Sequence, residues 1–340
     1  MSRLQRASLV VAVTLGVAAI AEAGPRLEAI KRRGFLTCGV EPIVAGFAEV
    51  DAAGRYRGFD VDICRALAAA VLGNPDKIKF VTLLSVADLR RSDDVDVVSR
   101  RLTWELRRET PLGLLFGPIT FYDGQSFLVP AKLGATTPRQ LAGRSICVAG
   151  GTVFELNLNV YFESEKLRFE KVVLESPHKF DEIAQALAGG RCQAYSADVS
   201  ELGAIRTRLP RRDDFQILSG HISREPLAPL VRADDTEFFT IVRWTIHALI
   251  NAEELGVTSK NVDAMRKSAN LDVQRLLGVV PGNGAALGLS ESWAYDAIRT
   301  VGNYGEIFDK NLGRASPVGL ERGLNRLSSD GGLMYAPPLR

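Results

Sequence analysis

The sequence predicts an α/β protein built from two units. Three observations carry that reading. Apolar strand-like runs alternate with helical patterns from Gly34 to Ser196, glycine- and proline-containing stops separate them, and the alternation restarts with a fresh strand near Gln125. Arg26 to Arg33 is a polar helical segment, and Gly34-Phe-Leu-Thr-Cys-Gly-Val40 reads as a strand, followed by a loop and turn over Glu41 to Gly54. Asp60 is a good N-cap for a helix whose Val61, Cys64, Leu67, Ala68 and Val71 share one face, and Gly73-Asn-Pro-Asp stops it. A strand over Lys79 to Leu83, a short helix over Val86 to Arg91 and a strand over Val95 to Ser99 come next.

The second unit opens at Gln125 to Val129, with a short helix at Thr137 to Leu141. Ser145 to Val148 is a strand running into Gly150-Gly151-Thr152, and a helix starts at about Phe154. Lys171 to Leu174 is a strand, and Phe180, Ile183, Ala184 and Leu187 make a helical face. Cys192 to Ser196 is another strand, with Asp198 just past its end. The last third is more helical, over Glu237 to Glu254, Asn261 to Leu277 and Glu291 to Val301. Ligands of open α/β sheets bind outside the carboxyl ends of strands, so the residues after Val40, Ser99, Val148 and Tyr195 are where a site is sought.

The 340 residues hold 42 Lys plus Arg against 40 Asp plus Glu, and 46% are hydrophobic. That near balance argues against nucleic acid as a partner, and the apolar content argues against disorder. At the N-terminus, Arg3 and Arg6 precede an apolar run from Leu9 to Ile20, and Ala21-Glu22-Ala23 has the form of a cleavage site. This is a secretory signal peptide, with cleavage expected after Ala23 and an exported mature protein. In an oxidising compartment Cys38, Cys64, Cys147 and Cys192 are expected to form disulfides. Three connectivities exist, and the local one, Cys38–Cys64 with Cys147–Cys192, keeps each bridge within one unit.

The search for catalytic patterns is negative: no H-E-x-x-H, G-x-S-x-G or Walker loop occurs, and His178, His221 and His247 are too scattered for a metal set. Neither a catalytic residue, a metal nor a cofactor is expected. Thr103 and Arg108 lie five residues apart after a strand, where a hydroxyl and a guanidinium can clamp a carboxylate. A solvated helix start is the ordinary alternative. Asp198 is either a holder of an ammonium group or a helix cap, and Gly151 and Thr152 either present N–H groups to an anion or form an ordinary turn.

Ordered blocks over the whole chain carry a resemblance. They include Gly58-Phe-Asp-Val-Asp62, Ser99-Arg100 with Thr103-Trp104, Tyr122-Asp-Gly-Gln125, Glu155-Leu-Asn157, Gly190-Arg-Cys192, Asn251-Ala-Glu-Glu254 and Val301-Gly-Asn-Tyr-Gly-Glu-Ile-Phe308. In these the chain resembles the periplasmic substrate-binding proteins of general L-amino-acid ABC transporters, solute-binding protein family 3. The resemblance implies a bilobal type II periplasmic-binding-protein fold, two α/β lobes joined by two crossing strands. The crossings are expected near Gln125–Pro130 and Leu227–Arg232, which puts lobe one at 24–127 and 229–340, with a helical C-terminal extension, and lobe two at 128–228.

The same resemblance implies a monomer that carries an L-amino acid or similar zwitterion to permease subunits. Arg108 and Thr103 would take the ligand carboxylate, Gly151 and Thr152 would complete that site, and Asp198 would take the ammonium. The rivals are a dehydratase-like enzyme on the same fold and a sensory ligand-binding protein. Departures from the family pattern concentrate around the side-chain pocket: Glu41, Arg101-Leu102, Ala149, Val153, Phe154 and the segment Leu84–Asp94. Glu41 and Arg101 are expected to pair with each other or with a charged ligand side chain, or else to be solvated rim charges.

Overall fold

The structure, a computed structural model, describes residues 24–85, 88, 94–110, 113–175 and 179–340. The signal segment, His178 and, Asp88 apart, the expected helix over 86–91 lie outside the described residues. The strands in chain order are β1 (Leu36–Val40), β2 (Ile43–Val44), β3 (Ala48–Val50), β4 (Tyr56–Arg57), β5 (Ile78–Thr82), β6 (Val97–Val98), β7 (Leu114–Phe116) and β8 (Phe121–Asp123). They continue with β9 (Gln125–Pro130), β10 (Ser145–Ala149), β11 (Glu170–Leu174), β12 (Ala194–Asp198), β13 (Phe215–Ile217), β14 (Glu225–Leu227) and β15 (Leu230–Arg232).

Two five-stranded sheets result. The first has the order β5-β1-β6-β15-β7, with β1 parallel to β5 and β6 and β15 antiparallel to β6 and β7. The second has the order β11-β10-β12-β9-β13, with β10 parallel to β11 and β12 and β9 antiparallel to its neighbours. Strands β8 and β14 pair antiparallel outside both sheets. β8 leads into β9 of the second sheet, and β14 leads back into β15 of the first. The stretches 125–130 and 227–232, read from sequence as crossing strands, therefore lie mainly inside the sheets, and the paired segments between the sheets are β8 and β14.

The helix Phe59–Leu72 shows how the sequence sets one element. Gly58 precedes it at φ 130°, and a Cβ there would stand 2.3 Å from the Phe47 carbonyl oxygen. Glycine is what that close approach permits. Gly73 ends the helix in the left-handed conformation, and the expected face is buried apart from a half-buried Val71. Asp60 is not the N-cap, because Gly58 holds that position; Asp60 turns inward in the first helical turn and accepts a hydrogen bond from Ser99 Oγ at 2.6 Å. Glu41–Gly54 is more than a loop, since it carries β2 and β3, which form a three-stranded meander with β4. Asn261–Leu277 is broken into Val262–Met265 and Leu271–Leu276, the second capped by the Asn270 side chain.

The cysteines adopt the local connectivity. Cys38–Cys64 joins β1 to the Phe59–Leu72 helix and Cys147–Cys192 joins β10 to the entry of β12, with Cα separations of 6.3 and 5.7 Å. Each closed loop constrains the unfolded chain, worth about 3–4 kcal/mol. No helix among the described residues is long and apolar enough to cross a membrane.

The C-terminal stretch crosses both halves of the molecule. Arg206 donates to the carbonyls of Val318 and Gly319, Arg212 donates to that of Pro317, and Arg322 pairs with Glu253. Asn325 completes the backbone of Tyr122 in β8, accepting from its N–H at 2.6 Å and donating to its carbonyl at 3.1 Å. Asn325→Ala leaves both groups without that partner, so a loss of about 1–3 kcal/mol is expected in urea unfolding. An unchanged midpoint would show that water replaces the side chain.

Candidate ligand-binding site

Five of the expected residues lie at or beyond the carboxyl ends of neighbouring strands. β1 and β6 run side by side, with Gly39 opposite Val98, so Glu41 and the Arg100–Arg101 pair emerge together. β10 and β12 are likewise adjacent, with Val148 opposite Ser196, so Gly151–Thr152 and Asp198 emerge together from the second sheet.

Glu41 and Arg101 do pair with each other, and neither is a solvated rim charge. Glu41 is buried and receives two guanidiniums, Arg100 at 3.2 Å on Oε1 and Arg101 at 3.3 Å on Oε2. Arg101 also donates to Ser200 Oγ at 2.9 Å, which ties the end of β6 to the Val199–Arg206 helix after β12. Burial works against the charge of Arg101, but Glu41, Glu201, Asp123 and Asp60 outweigh it and hold its pKa above the ordinary value. Arg100 shifts the other way, because burial outweighs the attraction of Glu41.

The carboxyls around this pair outnumber the cations. Asp123 accepts from the Gly124 and Ser200 N–H groups, and burial raises its pKa against the pull of these bonds and of Arg101. Burial pushes Asp60 up to about 6 and Glu201 up to about 7, Arg101 opposing in both cases. Tyr195 donates its hydroxyl to Glu201 at 3.3 Å. Asp198 ends β12, and its Oδ1 is buried without a hydrogen-bond partner in the structure. Burial, then the negative charges of Asp123, Glu225 and Glu201, hold its carboxyl well above the usual range. The charge of Arg101 opposes these effects without outweighing them.

Thr103 is linked to the surroundings of Asp198 through Glu225, whereas Arg108 meets only Thr103 and Glu105 among the described side-chain contacts. Thr103 Oγ1 donates to Glu225 at 2.8 Å, and Glu225 is one of the charges acting on Asp198. Arg108 donates to the Thr103 carbonyl at 2.9 Å and pairs with Glu105 at 2.9 Å, keeping about a third of its side chain in solvent. Glu105 is a half-exposed partner that a competing carboxylate can replace. Thr152 and Gly151 are satisfied locally: the Thr152 hydroxyl donates to the Ala149 carbonyl, and the Gly151 N–H donates to Glu155. Gly151 has φ 69°, which turns the chain into the Val153–Ser164 helix. Val153 is 55% exposed.

Sequence reasoning missed Asp123, Ser200, Glu201 and Glu225 as members of the site. Asp123 stands two residues before the strand that opens the second unit, and Ser200 and Glu201 come just after Asp198, so the signal was proximity to strand ends. Of the histidines, His247 is partly buried and desolvation pushes it down to about 4, which keeps it neutral at pH 7.

The raised carboxyls give a pH test. Below about pH 4 Glu201 is protonated in both folded and unfolded chains and contributes nothing. As pH rises towards its folded value of about 7, only the unfolded chain loses the proton, so folding stability is progressively lost. Glu201→Gln, which keeps an acceptor for Tyr195, is therefore expected to gain stability over the wild type as pH rises from 4.5 to 7.5, by up to on the order of 3 kcal/mol. Paired thermal melts across that range check it, and a pH-independent difference would contradict the raised pKa.

Comparison with known proteins gives the family. Residues 36–261 match the bacterial extracellular solute-binding proteins, family 3. The chain is 44% identical, over 97% of both chains, to the general L-amino acid-binding periplasmic protein AapJ of Rhizobium johnstonii. It is 43% identical to the glutamate/glutamine/aspartate/asparagine-binding protein BztA of Rhodobacter capsulatus, over 92% of this chain and 93% of that one. Among solved structures, a periplasmic binding protein of an ABC transporter from Brucella ovis with glutathione bound is 44% identical. It superposes with a TM-score of 0.82, over 92% of this chain and 99% of that one. With two sheets, a paired β8–β14 link and strand ends joined by the Arg101–Ser200 bond, the chain belongs to the family 3 bacterial extracellular solute-binding proteins.

Proposed function

We propose that the chain captures an L-amino acid, or a compound with the same amino-carboxylate head, between its two sheets and delivers it to the permease of an ABC transporter. The observation that carries this reading is Asp198. Its buried, unpartnered oxygen sits among other carboxyls and calls for a cation, which an α-ammonium group supplies. The ligand carboxylate takes Arg108, displacing Glu105, with Thr103 beside it, while Gly151 and Thr152 approach from the second sheet as the cleft closes. Closure is then a population shift, since ligand contacts to both halves favour the closed form.

The names of the relatives support an amino-carboxylate. Amino acids and glutathione share that head and differ in the group attached to it. The role is binding without turnover, by a single chain that supplies every residue named, working in the periplasm after cleavage behind Ala23. Calorimetric titration against the L-amino acids and glutathione tests the reading. Binding of at least one is expected, and Asp198→Asn is expected to weaken it at least a hundredfold, about 2.7 kcal/mol. No heat with any of these ligands would overturn it.

A further inference from the structure

Arg101 departs from ordinary backbone geometry. Its φ is 55°, a left-handed value that non-glycine residues rarely adopt, and it is shared among the described non-glycine residues only by Lys166. The side chain's partners account for that conformation. One nitrogen reaches Glu41 at 3.3 Å, another donates to Ser200 at 2.9 Å, and the guanidinium lies 5.8 Å from the centre of the Phe47 ring. Those partners come from both halves of the molecule: Glu41 comes directly after β1, and Ser200 stands in the first turn of the helix after β12. Its charge is felt by Asp60, Asp123, Asp198 and Glu201 alike. The protein thus places its own cation in the acid-lined part of the cleft, beside the carboxyl that awaits the ligand's ammonium.

We propose that Arg101 is a specificity-determining residue: its guanidinium fills the carboxylate-lined part of the cleft and excludes ligands with a cationic side chain. The inference rests on the amino-carboxylate reading above and deepens it. A ligand whose ammonium pairs with Asp198 and whose side chain ends in a second cation would bring that charge against Arg101. A neutral side chain meets no such repulsion. Glu41 takes part as the anchor that keeps the guanidinium in place. With Arg101 removed, the same carboxyls become a receptor for a basic side chain.

Arg101→Gly tests this, because glycine accepts the left-handed conformation and deletes only the side chain. Arg101→Gln, similar in length but uncharged, serves as the second variant if the first does not fold. L-arginine, L-lysine and L-ornithine are titrated against both proteins beside L-glutamine and L-glutamate. The ratio of basic to neutral affinity is expected to rise at least tenfold in the variant, and an unchanged ratio would overturn the proposal. A thermal-shift arm needs no amino acid: millimolar ethylguanidinium is expected to raise the melting temperature of Arg101→Gly and leave the wild type unmoved. If ethylguanidinium acts so while no amino acid binds either protein, the cation pocket stands and the amino-carboxylate reading fails. If neither protein distinguishes ethylguanidinium from sodium, the pocket itself is refuted.

Discussion

Arg108→Ala is expected to abolish measurable ligand binding while leaving the fold intact. A carboxylate that enters the cleft must exchange its hydration for fixed donors, and a guanidinium offers them in a fork that matches both oxygens. Removing one partner of such a pair costs about 2–5 kcal/mol, roughly thirty- to several-thousand-fold in Kd. The fold should hardly notice, because Arg108 keeps about a third of its side chain in solvent, and its polar contacts are with Thr103 and Glu105. Titration together with a melting curve separates the two effects. Unchanged affinity would remove Arg108 from the site, and a collapsed melting temperature would make it structural.

Glu41→Ala should do the opposite, damaging stability first. Arg100 and Arg101 share the two oxygens of this one carboxylate, and all three side chains are largely withdrawn from water. Breaking a buried ion pair by removing one partner costs about 3–5 kcal/mol, because the remaining charge stays buried. In a protein of this size that is a fall of about 5–8 °C in melting temperature. The double variant Glu41→Gln with Arg101→Gln should recover part of the loss, since both charges leave together. A melting temperature within about 2 °C of the wild type for Glu41→Ala would mean that Asp60 and Glu201 neutralise the guanidiniums unaided.

The sheets are legible in the sequence because apolar strands, helical faces and glycine stops repeat with the right periods. The local disulfide pairing is legible on the same grounds of organisation. Less legible are features set by long-range contact. Asp60 has the sequence context of an N-cap, yet Ser99, 39 residues away, draws it inward. The crossings sit one element away from where the sequence suggests, because β8 and β14 are only three residues long and their pairing joins segments about a hundred residues apart. Arg108, Thr103 and Asp198 stand out through resemblance, whereas Asp123, Glu201 and Glu225 carry no local motif. They become a site only where the two sheets bring their strand ends together.

The acid-rich cleft also explains why position matters more than total charge. The chain is nearly neutral, yet Glu41, Asp60, Asp123, Asp198 and Glu201 gather around Arg101. An incoming ammonium is favoured there, because it would pair with a carboxyl whose charge burial and the neighbouring carboxyls oppose.

A crystal structure of the protein with its bound amino-carboxylate would decide the matter. The ligand's ammonium should lie within hydrogen-bond distance of Asp198 Oδ1, its carboxylate on Arg108 in place of Glu105, and its side chain short of Arg101. A ligand bound with its carboxylate away from Arg108, or with Asp198 still unpartnered, would contradict the account.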